Sequence, residues 1–245
     1  MLMNMQFFEQ VNPQVQTTRP AAFPSARAAA FTRVELLVVV GACLVLAAIQ
    51  IPLLGRSREP GNVAVCANNL RQIGAAMLMF SADNDGYMTG RSYPRWPLLL
   101  LPYYRQTNVL HCPSDAAKPS DFGTGNTNYV GPRSYLFNGF NDYAGPDWGR
   151  AFSVPMRAIK YPSETILFGE KYTDSGHWWF DFNQYDDVRE LEHARHFDGS
   201  ISTGKGGSNY NFADGSVRLL KPGQSFQPVF LWGISDESRG WFPIF

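Results

Sequence analysis

From Val34 to Leu54 the chain is almost wholly apolar, with a single carboxylate, Glu35, at its start. About 20 residues at ~1.5 Å each match the roughly 30 Å of a bilayer's hydrocarbon core. The run therefore predicts a single membrane span. The other source of such a run, a cleaved secretory signal, needs small residues at alternate positions just after it. The exit Leu46-Ala47-Ala48-Ile49-Gln50-Ile51-Pro52 supplies these poorly. Burying Glu35 unpaired would cost ~3 kcal/mol, so the acid predicts a partner. A free amine made by cutting the chain before Phe31 would be one, in the same molecule or on a neighbour packed alongside. Residues 1–30 carry only Glu9, Arg19 and Arg27 as charges and show no sustained period, and read as a leader. Pro52 either kinks the apolar helix or marks its exit before Arg56 and Arg58.

The rest of the chain has another character. Hydrophobic residues make up 44% of the sequence, enough for a core, and the 21 basic residues balance the 21 acidic ones. That balance removes the electrostatic footprint of a nucleic-acid binder. After Pro60-Gly61, which predict a bend or break, Cys66, Leu70, Ile73, Met77 and Phe80 recur at spacings of four and three, one apolar stripe of a second helix. Aromatic, Gly and Pro residues concentrate after residue 86, as in short strands joined by turns. Asn138-Gly139 and Asp214-Gly215 each follow a strand-like run and predict hairpins. The order of helix, then strands predicts an α+β domain: a long kinked N-terminal helix of about 50 residues, then an antiparallel sheet on its distal half with long loops.

Several residue groups are candidates for chemistry. Asp83-Asn84-Asp85-Gly86 opens like a calcium loop, although a helix stop with a glycine cap explains the same residues. Cys66 and Cys112 either form a disulfide, closing a loop of about 45 residues worth ~4 kcal/mol, or are buried free thiols. No cysteine pair stands at zinc-finger spacing. Glu170, His193, His196, Asp198 and Asp214 could gather into a metal or acid–base site if the strand 165–170 ends near the final hairpin. Against this, the hairpin accounts for Asp214, and no nucleophile has an evident base. Trp178, Trp179 and Tyr185 belong to an aromatic cluster beside Asp181, Asp186 and Asp187, either a local core or subunit contact or a sugar-binding surface.

Phe31-Thr32-Arg33-Val34-Glu35-Leu36-Leu37 resembles the prepilin cleavage and methylation motif of type IV pilins and type II secretion pseudopilins, with Ala30 where the family carries Gly and Arg33 where it carries an apolar residue. Cys66-Ala67-Asn68-Asn69-Leu70-Arg71-Gln72-Ile73-Gly74, His111-Cys112-Pro113-Ser114-Asp115, Tyr161-Pro162-Ser163-Glu164-Thr165-Ile166-Leu167-Phe168 and Asn211-Phe212-Ala213-Asp214-Gly215 resemble, in order, the prepilin-type group named for a His, nine residues and Asp-Gly. Here seventeen residues, 197 to 213, separate His196 from Asp214. The resemblance implies a leader over 1–30, removed between Ala30 and Phe31 by a prepilin peptidase. It also implies methylation of Phe31, a membrane and assembly helix over 31–55, and an exported pilin-like α+β domain over 56–245. The expected partners are the inner membrane, crossed once, and other pilin-like subunits, with no cofactor save a possible Ca²⁺, no catalysis and no nucleic acid. An anchored envelope-binding module with a glycan-binding aromatic surface is the competing expectation.

Overall fold

The computed structural model describes residues 32–56, 58–116, 133–144, 153–181 and 187–240, with the backbone alone for 47–56, 144 and 198–201. The leader, Ala30, Phe31 and Tyr185 lie outside the described residues. Contacts divide the chain into two units, 1–49 and 50–245.

Helix α1 spans Arg33–Arg56 and supplies the described part of the first unit. Thr32 and Glu35 form a capping box: the Thr32 N–H and hydroxyl both donate to Glu35 Oε2 at 2.9 Å, and the Glu35 N–H donates to Thr32 Oγ1 at 3.2 Å. Two orphan donors of the first turn are thereby satisfied. Pro52 lies within this helix. No helix among the described residues is long and apolar enough to cross a membrane, and the side chains described in α1 end at Leu46.

The second unit is mixed helix and sheet. Helix α2 runs Arg58–Asp83 and buries the predicted stripe, with Cys66, Leu70, Ile73 and Met77 inaccessible and Phe80 packed at the margin. Full burial of Leu70, Ile73 and Met77 contributes roughly 1.5–3 kcal/mol each. Pro60 and Gly61 do not break this helix: they sit in its first turn, where a missing N–H leaves no hydrogen bond unmade. The helix stops through Asp85 and Gly86, both at positive φ, with the Gly86 N–H bonded to Ser81 O at 2.8 Å. The helical stretches Arg33–Arg56 and Arg58–Asp83 flank residue 57, which lies outside the described residues. Helix α3, Trp96–Tyr104, packs its Trp96 and Leu100 into the same core as α2.

Six strands follow among the described residues: β1 Tyr135–Asn138, β2 Ile166–Glu170, β3 Trp179–Phe180, β4 His196–Ser200, β5 Lys205–Phe212 and β6 Val217–Leu220. The sheet order is β3-β1-β2-β5-β4, with β6 also on β5. All pairings are antiparallel except β1 with β3, which makes the sheet mixed and corrects the expectation of a wholly antiparallel one. Strand β3 enters in the direction of β1 because 179–180 return to the β1 edge after β2 has already taken its other side. The β5–β6 hairpin turns on Asp214-Gly215 as predicted, with the Ser216 N–H on Asp214 Oδ1 at 2.9 Å and Gly215 at φ 84°.

Asn138-Gly139 is not a hairpin. Asn138 is buried, and its amide donates to the carbonyls of Ile166 at 2.8 Å and Trp232 at 2.7 Å, while its Oδ1 accepts from the Phe140 N–H at 2.8 Å. Gly139 follows because a Cβ there would stand 2.5 Å from Phe180 O. Both sheet faces are covered. Tyr135, Phe137 and Phe168 face the core shared with α2 and α3, while Leu136, Ile166, Tyr210 and Phe212 face one built with Phe226, Phe230 and Trp232.

Candidate metal centre

Where α2 crosses the sheet, the core stops being apolar. Cys66 comes from the third turn of α2, Cys112 from the loop after a 3-10 turn at Thr107–Leu110, Glu170 from the end of β2 and His196 from the start of β4. One heteroatom from each lies within 4.8 Å of the others, and all four residues are fully buried.

Each of these side chains is held by a neighbour. Cys112 is positioned by its N–H, which donates to Ser134 Oγ at 2.9 Å, while the Ser134 N–H bonds to Leu110 O at 2.8 Å. Glu170 stands opposite Tyr135 in the β1–β2 register. Its Oε2 accepts the Asn209 N–H at 3.2 Å, which leaves Oε1 facing inward. Oε1 is in contact with Cys66 Sγ and lies 3.0 Å from His196 Nε2. The Tyr135 hydroxyl stands 3.2 Å from Cys66 Sγ. His196 Nδ1 is 2.7 Å from Glu59 Oε1, a carboxylate two turns before Cys66 on α2 that also accepts from Ser114 Oγ.

The backbone contributes too. Phe197, next after His196, has φ 64° at an irregularity in the β4–β5 register. A bulge of this kind re-aims a side chain, and here His196 is inaccessible while Phe197 is 46% exposed. The preceding residue is pinned: Arg195 pairs with Asp115 at 3.0 Å with both side chains buried, and its N–H donates to Ser208 Oγ at 3.1 Å.

Electrostatics divide the two thiols. Burial, with the Cys112 and Glu170 interactions, pushes the Cys66 thiol far up. Cys112 is drawn down to about 7, chiefly by the hydrogen bond from Cys66 and then by His196, against the opposing effect of burial. Burial alone would lower His196, but Cys112, Glu170 and Glu59 outweigh it and hold it up to about 10. Burial likewise opposes ionisation of Glu59, and its bonds to His196 and Ser114 prevail and lower it. Two sulfurs, a carboxylate oxygen and an imidazole nitrogen thus converge in one buried place, a donor set that a borderline-soft divalent cation suits.

The predicted residues are distributed unevenly. Glu170 and His196 are brought together, and with them Cys66 and Cys112, which are free thiols rather than a disulfide. Asp214 serves the β5–β6 turn. Asp83 accepts from the Tyr103 hydroxyl at 3.0 Å, and Asp85 is exposed in the turn that ends α2. His193 packs against the Phe226 ring at 5.4 Å. Trp179 lies in the core, and partly buried Trp178 has the guanidiniums of Arg133 and Arg95 over its ring at 4.1 and 4.9 Å. Glu59 was not foreseen, although it lies seven residues before Cys66, a spacing that shares a helix face.

Comparisons with protein-family models, with curated proteins and with solved structures found no match to this chain.

Proposed function

We propose that this chain is a pilin-like assembly subunit: a single-pass inner-membrane protein whose first helix anchors it and packs with copies of itself or of related subunits, carrying an exported α+β domain. The observation that carries this reading is the surface of α1. Val34, Leu36, Leu37, Val38, Val39, Val40, Leu44, Val45 and Leu46 are all between 46% and 71% exposed. So continuous an apolar surface needs lipid or another helix against it. The domain needs no such help, since its sheet is covered on both faces.

The capping box supports the same reading. It draws the Glu35 carboxylate back to Thr32, one residue from the place where cleavage before Phe31 would leave a new amine. That amine, on this chain or on a neighbour, neutralises the acid and sets the stagger between helices. The resemblance to prepilin processing and to type II secretion pseudopilins points the same way. Catalysis is not part of the proposal, because the one dense cluster of reactive side chains among the described residues is closed to solvent.

Peptide mass spectrometry of the chain purified from membranes tests the reading. A mature N-terminus at methylated Phe31 is the expected result. A chain beginning at Met1, or cut at any other bond, would overturn it.

A further inference from the structure

We propose that Cys66, Cys112, Glu170 and His196 bind one Zn²⁺ ion in a closed, four-coordinate structural site. The inference is independent of how the first helix is used.

Geometry comes first. Ligands around tetrahedral zinc stand about 3.3–3.8 Å apart, given Zn–S near 2.3 Å and Zn–N or Zn–O near 2.0–2.2 Å. The four heteroatoms lie within 4.8 Å of one another, with His196 Nε2 at 3.9 Å from Cys112 Sγ and 3.0 Å from Glu170 Oε1. Small side-chain adjustments bring them onto a common centre. They come from a helix, a loop and two strands, and in sequence they are separated by tens of residues.

Hydrogen bonding supplies an independent argument. His196 Nε2 faces Glu170 Oε1, Asn209 Nδ2 at 3.2 Å and Cys112 Sγ at once. A ring nitrogen has one proton or one lone pair and can satisfy one of these directly. A cation satisfies them together: Nε2, Oε1 and both sulfurs turn their lone pairs to the metal, and the Asn209 amide keeps its bond to Val63 O at 3.3 Å. With no exposed surface at any of the four residues, bulk water cannot take the metal's place.

The surrounding shell is that of a metal site. Ligating histidines donate their second N–H to a carboxylate, and His196 Nδ1 faces Glu59 in that manner. Glu170 has its outer oxygen on a backbone N–H, and Cys66 has the Tyr135 hydroxyl beside its sulfur. Two thiolates with an imidazole favour zinc over the hard cations that oxygen ligands select. Four protein ligands leave no position for a water or substrate, so the ion's work is to tie α2 to the sheet.

The full chain, purified under reducing conditions, should carry one zinc by elemental mass spectrometry. Replacement by Co²⁺ should give the visible absorption of tetrahedral cobalt and a thiolate-to-cobalt charge-transfer band. C66S or C112S should reduce that band by about half, in proportion to the thiolates left. E59Q, at a partly exposed position where refolding is not at stake, acts through the orientation of His196. It should keep one metal per chain but bind it about 10–100-fold more weakly in competition with a chromophoric chelator. Several results would overturn the proposal: a folded, reduced chain that takes up neither Zn²⁺ nor Co²⁺; a Cys66–Cys112 disulfide found by thiol counting; stoichiometric metal retained by the C66S/C112S double variant; or unchanged affinity in E59Q.

Discussion

Replacing Asn138 by leucine removes one amide and leaves three backbone groups without their partner. The side chain is 1% exposed, and it bridges the carbonyls of Ile166 and Trp232 and the Phe140 N–H. It thereby joins β2, the C-terminal segment and the exit of β1. Each bond contributes about 1 kcal/mol, and each buried group left unpaired costs about 1–3 kcal/mol, so N138L should destabilise the domain by about 4 kcal/mol. With a urea slope near 2 kcal/mol per M, the unfolding midpoint should fall by about 2 M. N138D separates the donor role from the acceptor role: it can still accept from Phe140 but sets a carboxylate against two carbonyl oxygens, so it should fall at least as far. Urea titration of the full chain, followed by tryptophan fluorescence, measures both variants. A loss under about 1 kcal/mol for N138L would refute the argument, because that is the size expected of an exposed Asn-Gly turn.

Glycine 74 should behave against helix propensity: an alanine Cβ there would stand 2.4 Å from the buried Asn211 amide, so G74A should cost about 1–3 kcal/mol. In the same helix Gly61 has nothing within 4 Å of the position, so G61A should be neutral or stabilise by up to about 1 kcal/mol, and thermal melts of the two distinguish packing from propensity. His193 is buried and its pKa is lowered by that burial from 6.5, so below about pH 6.5 the unfolded chain binds the proton more readily and stability falls as pH falls. H193Q should flatten this acid limb by at most about 1.4 kcal/mol per pH unit, read from urea midpoints between pH 7 and 5, and an unchanged slope would contradict the assignment.

Features carried by neighbouring residues were legible. The Cys66–Met77 stripe repeats within one helix, and Asp214-Gly215 makes its turn with atoms of adjacent residues, so period and turn chemistry were sufficient for both. Asn138-Gly139 is the same kind of signal used otherwise: the dipeptide that turns a hairpin at the surface has here been taken into the core, where the amide bonds backbone from distant segments. Only tertiary contacts separate the two uses. Strand β3 has two residues, too few for any alternation, and its parallel pairing arises from a return path that no local pattern encodes. Phe226, Phe230 and Trp232 pack on one sheet face from a segment that belongs to no helix or strand, and periodicity has nothing to detect there.

The site shows the same division more sharply. Glu170 and His196 are two of the five groups that the sequence allows to gather near the final hairpin, and they do meet, whereas the sequence offers the two cysteines only as a disulfide or as buried free thiols. A disulfide needs one contact, and Cys66 with Cys112 invites that reading when a chain is taken pairwise. The fold instead gives each thiol a second partner, Glu170 for Cys66 and His196 for Cys112. Glu59 completes the logic. It stands at the start of the helix on the face that Cys66 also uses, so forming α2 sets an acid and a thiol about two turns apart, and docking α2 on the sheet inserts His196 at the level of both. Metal affinity and helix docking are for that reason one equilibrium: whatever loosens α2 from β2 and β4 separates the ligands, and a bound ion resists that separation by as much as it prefers the docked state.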